Sequence, residues 1–100
     1  MKGEVKMQNP QKPLKKNKDM VSRKLGDELI LIPVFNTNEE MGEIYSLNET
    51  AEMIWRLIDG KRTPSDIKNL MLKKYRVAEQ KLNRDVARTI ENFKTIKAII

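Results

Sequence analysis

Ala51, Ile54, Trp55 and Ile58 recur at intervals of three and four, one apolar stripe down a helix that carries the chain's only Trp. The surrounding stretch, Leu47 to Gly60, is the element around which the other segments are arranged. Asn48 can accept from the first free amides, and Ser46 with Glu49 would form a capping box if the helix began two residues earlier. Asp59-Gly60 ends it, since Gly enters the left-handed C′ conformation at no steric cost. Glu52 and Arg56, four apart, are expected on the exposed side.

Two further helices follow. Thr63-Pro64-Ser65-Asp66 is a helix start, with Thr63 as N-cap, Pro64 at N1 and Asp66 at the positive end of the dipole. Ile67, Leu70, Met71 and Tyr75 supply its apolar face, and Lys73 and Lys74 close its last turn. From about Glu79 to Lys97, Leu82, Val86, Thr89, Ile90, Phe93 and Ile96 again recur at three and four. Upstream the pattern changes. Val21 and Leu25 precede Gly26-Asp27, a two-residue turn with Gly first as a type II′ hairpin prefers. Leu29 to Phe35 is a nearly continuous apolar run, as expected of a strand covered on both faces, with Pro33 placing its end at an edge or bulge. Asn36 to Gly42 is a polar loop, and Glu43 to Leu47 a third short strand leading into the first helix. Three antiparallel strands followed by three helices predict an α+β domain with its helices on one side of a small sheet.

Charge sharpens the boundaries. The chain of 100 residues carries a net charge of +6. Residues 1–24 hold eight Lys and Arg against Glu4 and Asp19, so the entire excess lies there and the remainder is neutral. Residues 1–19, rich in Lys, Gln, Asn and Pro, read as a disordered basic tail, and residues 20–100 as the folded domain. No aromatic residue is interleaved in the tail to stack on bases. The basicity therefore says little about what the folded surface binds.

Cys and His are both absent. That removes disulfides, thiolate or imidazole metal ligands, nucleophilic Cys and His-based proton transfer. No apolar run is long enough to span a bilayer and no apolar signal region opens the chain, so the expected compartment is the cytoplasm. The carboxylate pairs Glu39/Glu40 and Glu49/Glu52 lack a His to complete a metal site. Trp55 and Phe93 read as core anchors, Lys61-Arg62 as a solvated turn, and Asp85, Arg88 and Glu91, three apart, as surface ion pairs. The four glycines stand alone and form no phosphate loop. No cofactor is expected, and the residues describe a non-enzymatic module with an exposed sheet edge.

The run Leu47-Asn48-Glu49-Thr50-Ala51, then Ile54-Trp55 and Leu57-Ile58-Asp59-Gly60-Lys61-Arg62-Thr63, with Ile67, Leu70, Tyr75 and Asp85-Val86, resembles the PqqD-like family. The resemblance covers Met20 to the C-terminus. It implies a winged helix-turn-helix-like fold, three strands and then three helices. It also implies a non-catalytic role: binding the leader segment of a ribosomally made precursor peptide and presenting it to a modifying enzyme, often a radical S-adenosylmethionine (SAM) protein. In such proteins the leader adds as a strand beside the third strand and against the last helix. Carried onto this chain, the peptide-binding residues are Ile44, Tyr45, Ser46 and Leu47, with Asp85, Arg88, Thr89, Asn92 and Phe93. Family members often place Gly before the final apolar pair, whereas this chain ends Lys97-Ala98-Ile99-Ile100, so its last helix is expected to stop differently. The LNET-type helix start is typical of the broad family rather than of members dedicated to pyrroloquinoline quinone. The alternative is a winged-helix DNA-binding protein. Against it stand Asp85 and Glu91 among the bases of the last helix, the neutral domain and the lack of a wing hairpin after that helix.

Overall fold

A computed structural model describes residues 12–34 and 44–100. The strands are β1 (Met20–Leu25), β2 (Glu28–Pro33) and β3 (Tyr45–Leu47), and the helices α1 (Glu49–Leu57), α2 (Pro64–Lys74) and α3 (Glu79–Thr95). The sheet is antiparallel in the order β1-β2-β3. Gly26, at φ +61°, turns β1 into β2, and Leu25 pairs with Glu28 across it. No positive φ follows at Asp27, which fits the expected II′ geometry. The polar loop expected at Asn36 to Gly42, Phe35, Glu43 and the Glu39/Glu40 pair lie outside the described residues.

Register decides which face of the sheet is buried. Leu31 opposes Ser22 and Tyr45, and Leu29 opposes Lys24 and Leu47. Leu29 and Leu31 enter one core with Met20, Ala51, Ile54, Trp55, Ile58, Ile67, Met71, Leu82, Val86, Ile90 and Phe93. All the helices thus pack on the face bearing Leu29, Leu31, Tyr45 and Leu47. Successive residues of a strand face opposite ways, so Val21 and Leu25 fall on the other face, where both are exposed. Trp55 meets Phe93 edge to face, centroids 5.4 Å apart and planes at 73°, a pairing worth about 0.5–1.5 kcal/mol beyond burial.

The caps match the pattern closely. Asn48 accepts from the Ala51 N–H at 2.8 Å. Thr63 and Asp66 exchange a full capping box around Pro64. Glu52 does more than face solvent: it accepts from both Lys24 and Arg56, at 2.8 and 2.7 Å, and so ties β1 to α1. These bonds hold its carboxyl below the usual range. Gly60 turns left-handed at φ +84°, two residues beyond the C-cap Ile58 rather than at C′. Asp59 then accepts from the Lys61 and Arg62 amides, both at 2.9 Å, so this turn already holds an anion of its own. Leu70, expected in the core, is 37% exposed.

The N-terminal segment departs further from the expectations. The tail was expected to be disordered through residue 19, yet residues 12–19 of it are described and pack on the domain. Leu14 is buried, its N–H donates to the Arg62 carbonyl and its carbonyl accepts from Gly60 N–H. Lys16 bridges to Ile99, Asn17 N–H donates to Ala98, and Ile100 N–H donates to Lys15. The Lys16 ammonium stands 4.7 Å from the Trp55 ring centroid, a cation–π contact of about 0.5–1 kcal/mol. Burial, then the Arg56 charge, lower the Lys16 pKa, opposed by Asp59. Residues 1–11 of the expected tail lie outside the described residues.

The end of α3 is capped without glycine. Lys97 N–H donates to Lys94 and Ala98 N–H to Phe93, the paired bonds of a Schellman cap, with Lys97 left-handed at φ 65°. A lysine occupies the conformation that glycine adopts freely.

Replacing Leu14 by Ala should cost about 2–3 kcal/mol, because a buried leucine is removed where backbone pairing prevents collapse of the site. Thermal melts should show a drop on the order of 10 °C, and deletion of residues 1–18 at least as much. Lys97→Gly should raise stability by about 0.5–1 kcal/mol through relief of the left-handed strain, read in the same melts.

Candidate functional site

β3 follows β2 at the margin of the sheet, so among the described residues its outer edge has no strand beside it. Along β3, N–H groups of successive residues point to opposite sides. Tyr45 and Leu47 therefore share one direction and Ser46 the other. Side chains alternate likewise: Tyr45 and Leu47 are half-buried towards the helices, and Ser46 is exposed, donating to Glu28 at 3.2 Å. The end of β3 is fixed by Asn48, which caps α1 directly.

Beyond this edge, α3 forms the opposite wall of a cavity of about 550 Å³. Its sequence places Leu82, Val86, Ile90 and Phe93 in the core, which turns Lys81, Asp85, Arg88, Thr89 and Asn92 towards the opening. Phe93 serves both sides: it is buried against Trp55 and also lines the cavity. Of the nine residues expected at the site, Tyr45, Ser46, Leu47, Asp85, Arg88, Thr89, Asn92 and Phe93 come together here. Ile44 does not line it, being 57% exposed just before β3. Asn48, Thr50, Ala51, Lys81, Thr95 and Ile96 line it as well. Helical periodicity ranked Ala51 and Ile96 as core positions and left the flanking Asn48, Thr50, Lys81 and Thr95 unranked.

Asp85 pairs with Lys81 at 2.8 Å rather than with its neighbours three residues on. The hydrogen bond from Lys81 is the main cause that holds its carboxyl below the ordinary aspartate range, with the charges of Lys81, Arg88 and Arg84 adding to it. Among the described residues no group of three His, Cys, Asp or Glu could hold a metal ion, and no helix is long and apolar enough to cross a membrane.

Comparison with known proteins gives a consistent picture. The family model described as "Coenzyme PQQ synthesis protein D (PqqD)" matches residues 35–99. No curated protein matches the chain. Two solved structures share its fold at a TM-score of 0.71. One is "TbiB1 in Complex with the TbiA(beta) Leader Peptide", 20% identical over 85% of this chain and 93% of that one. The other is "Lasso peptide synthetase B1 complexed with the leader peptide", 22% identical over 88% of this chain and 98% of that one.

The Lys81–Asp85 pair sets a pH dependence whose sign is fixed. A depressed carboxyl pKa contributes stability that is present above the ordinary aspartate range and is lost as pH falls through the folded-state value. In Lys81→Met the Asp85 pKa should rise, as followed by NMR titration of its carboxyl carbon, and the acid end of the stability profile should flatten.

Proposed function

Because this chain belongs to the family of coenzyme PQQ synthesis protein D, we propose that it is a non-catalytic recognition protein for the leader segment of a ribosomally made precursor peptide. The observation that carries the reading is the juxtaposition of β3, which has no further strand beside it among the described residues, with a cavity walled by α3. Both solved structures of this fold named above hold a leader peptide.

In this reading the leader adds as a strand beside β3. Outward N–H and C=O groups of β3 supply the main-chain hydrogen bonds, and alternate leader side chains turn towards α3. Leu47, Phe93 and Ile96 offer apolar contact, while Asp85, Arg88, Thr89 and Asn92 offer polar partners. The domain makes and breaks no bond itself. It holds the leader so that the following segment of the precursor reaches a separate modifying enzyme, for which a radical SAM protein is the candidate.

Proline substitution tests the strand addition, because it removes one N–H at a chosen place. Of Tyr45→Pro and Ser46→Pro, one should lower the melting temperature by breaking the bond to β2. The other should remain folded and bind leader peptides from precursors encoded beside this gene at least tenfold more weakly. Titration calorimetry and thermal melts separate the two. Leader affinity equal to the parent's in both folded variants would exclude addition at this edge.

A further inference from the structure

We propose that this groove selects an extended peptide bearing a carboxylate two residues from an apolar side chain, and that Arg88 reads the carboxylate. The proposal rests on the strand-addition reading and adds the chemistry of the bound segment.

Charge in the cavity is unevenly committed. Its lining carries two cations, Lys81 and Arg88, and one acid, Asp85. Lys81 is engaged with Asp85 at 2.8 Å, and among the described residues Arg88 closes no ion pair. The Arg88 side chain is exposed at the cavity, where its guanidinium can meet the carboxylate of a bound peptide. Glu28 accepts from the Ser46 hydroxyl on the other face of the sheet. A guanidinium presents two parallel donors to a carboxylate, so partial removal from water makes this pairing stronger and more directional than a lysine contact.

The apolar partner lies one turn further along α3. Phe93 and Ile96 face the same cavity, together with Leu47 across from them. At a rise of 1.5 Å per residue, Arg88 and the Asn92–Phe93 turn are roughly 6–7.5 Å apart along the helix. Two residues of a strand span roughly 6.6 Å and place their side chains on the same face. One face of an added strand can therefore set an apolar side chain in the part of the cavity beside the Asn92–Phe93 turn, where Leu47 and Ile96 are partly exposed, and a carboxylate against Arg88. A basic residue at the second position would meet Arg88 and be rejected, which is how a repulsive contact gives selectivity.

The test is selection of a displayed library of random twelve-residue peptides on the full chain, on Arg88→Glu and on Arg88→Gln, with melts to verify that each variant is folded. Peptides won on the parent should carry Asp or Glu two residues from an apolar residue. Changing that acid to its amide should weaken binding about three- to tenfold by fluorescence anisotropy. Arg88→Glu should enrich Lys or Arg at the same position, and Arg88→Gln should show no charge preference there. Identical peptide composition on the parent and Arg88→Glu, or no loss on amide substitution, overturns the proposal. The parent's best peptide is then measured on Tyr45→Pro and Ser46→Pro. Proline sensitivity without an acid preference overturns the carboxylate reading alone. An acid preference without proline sensitivity overturns strand addition, and the two-residue spacing with it. A selection that enriches no sequence overturns both.

Discussion

The edge-to-face contact of Trp55 with Phe93 is the joint on which the domain depends. Trp55 brings the buried stripe of α1, and Phe93 brings that of α3, so the pair fixes how the two helices approach. Both rings are almost wholly enclosed, at 2% exposure. Among the described residues the Trp55 indole N–H meets no hydrogen-bond acceptor. Its ring is wedged between Phe93 and the Lys16 ammonium, and the desolvation cost of the N–H is offset by the surrounding packing. Because Phe93 also lines the cavity beside β3, the position of the groove wall is set by the core rather than by a loop. Such a wall is rigid before anything binds, which lowers the ordering cost of recognition.

What could be read from the sequence was whatever local chemistry decides. Asn48, Thr63, Pro64 and Gly26 act where their side chains or ring geometry dictate, and the stripe of Ala51, Ile54, Trp55 and Ile58 is buried as its spacing requires. Family resemblance located eight of the nine expected site residues on one cavity, a grouping that periodicity could not supply because strand edge and helix face are far apart in the chain. Ile44, exposed just before β3, does not line that cavity.

Non-local pairing was invisible. Leu14 is a single apolar residue among lysines, and its burial comes from hydrogen bonds to the α1–α2 turn and from the neighbouring ladder to residues 98–100. Composition therefore assigned it to a disordered tail. The ion pairs of α3 were misjudged in a similar way. Sequence offers Asp85 partners at several helical spacings, and only the packed side chains favour Lys81. At Lys97 the Schellman bonds from residues 97 and 98 override the local reluctance of lysine to turn left-handed.

In the proposed strand addition, the brevity of β3 sets a limit on residence time. With three residues, it turns either the groups of Ser46 alone or those of Tyr45 and Leu47 towards a visitor, so few main-chain hydrogen bonds can form, each worth about 0.5–1.5 kcal/mol net. Discrimination must then come from side-chain contacts in the cavity, and the dissociation rate stays open to adjustment by single residues on α3. A longer edge would hold any extended chain more firmly and sort them less well. In the proposed role, where the bound peptide has to be released again, a short edge is the better fit.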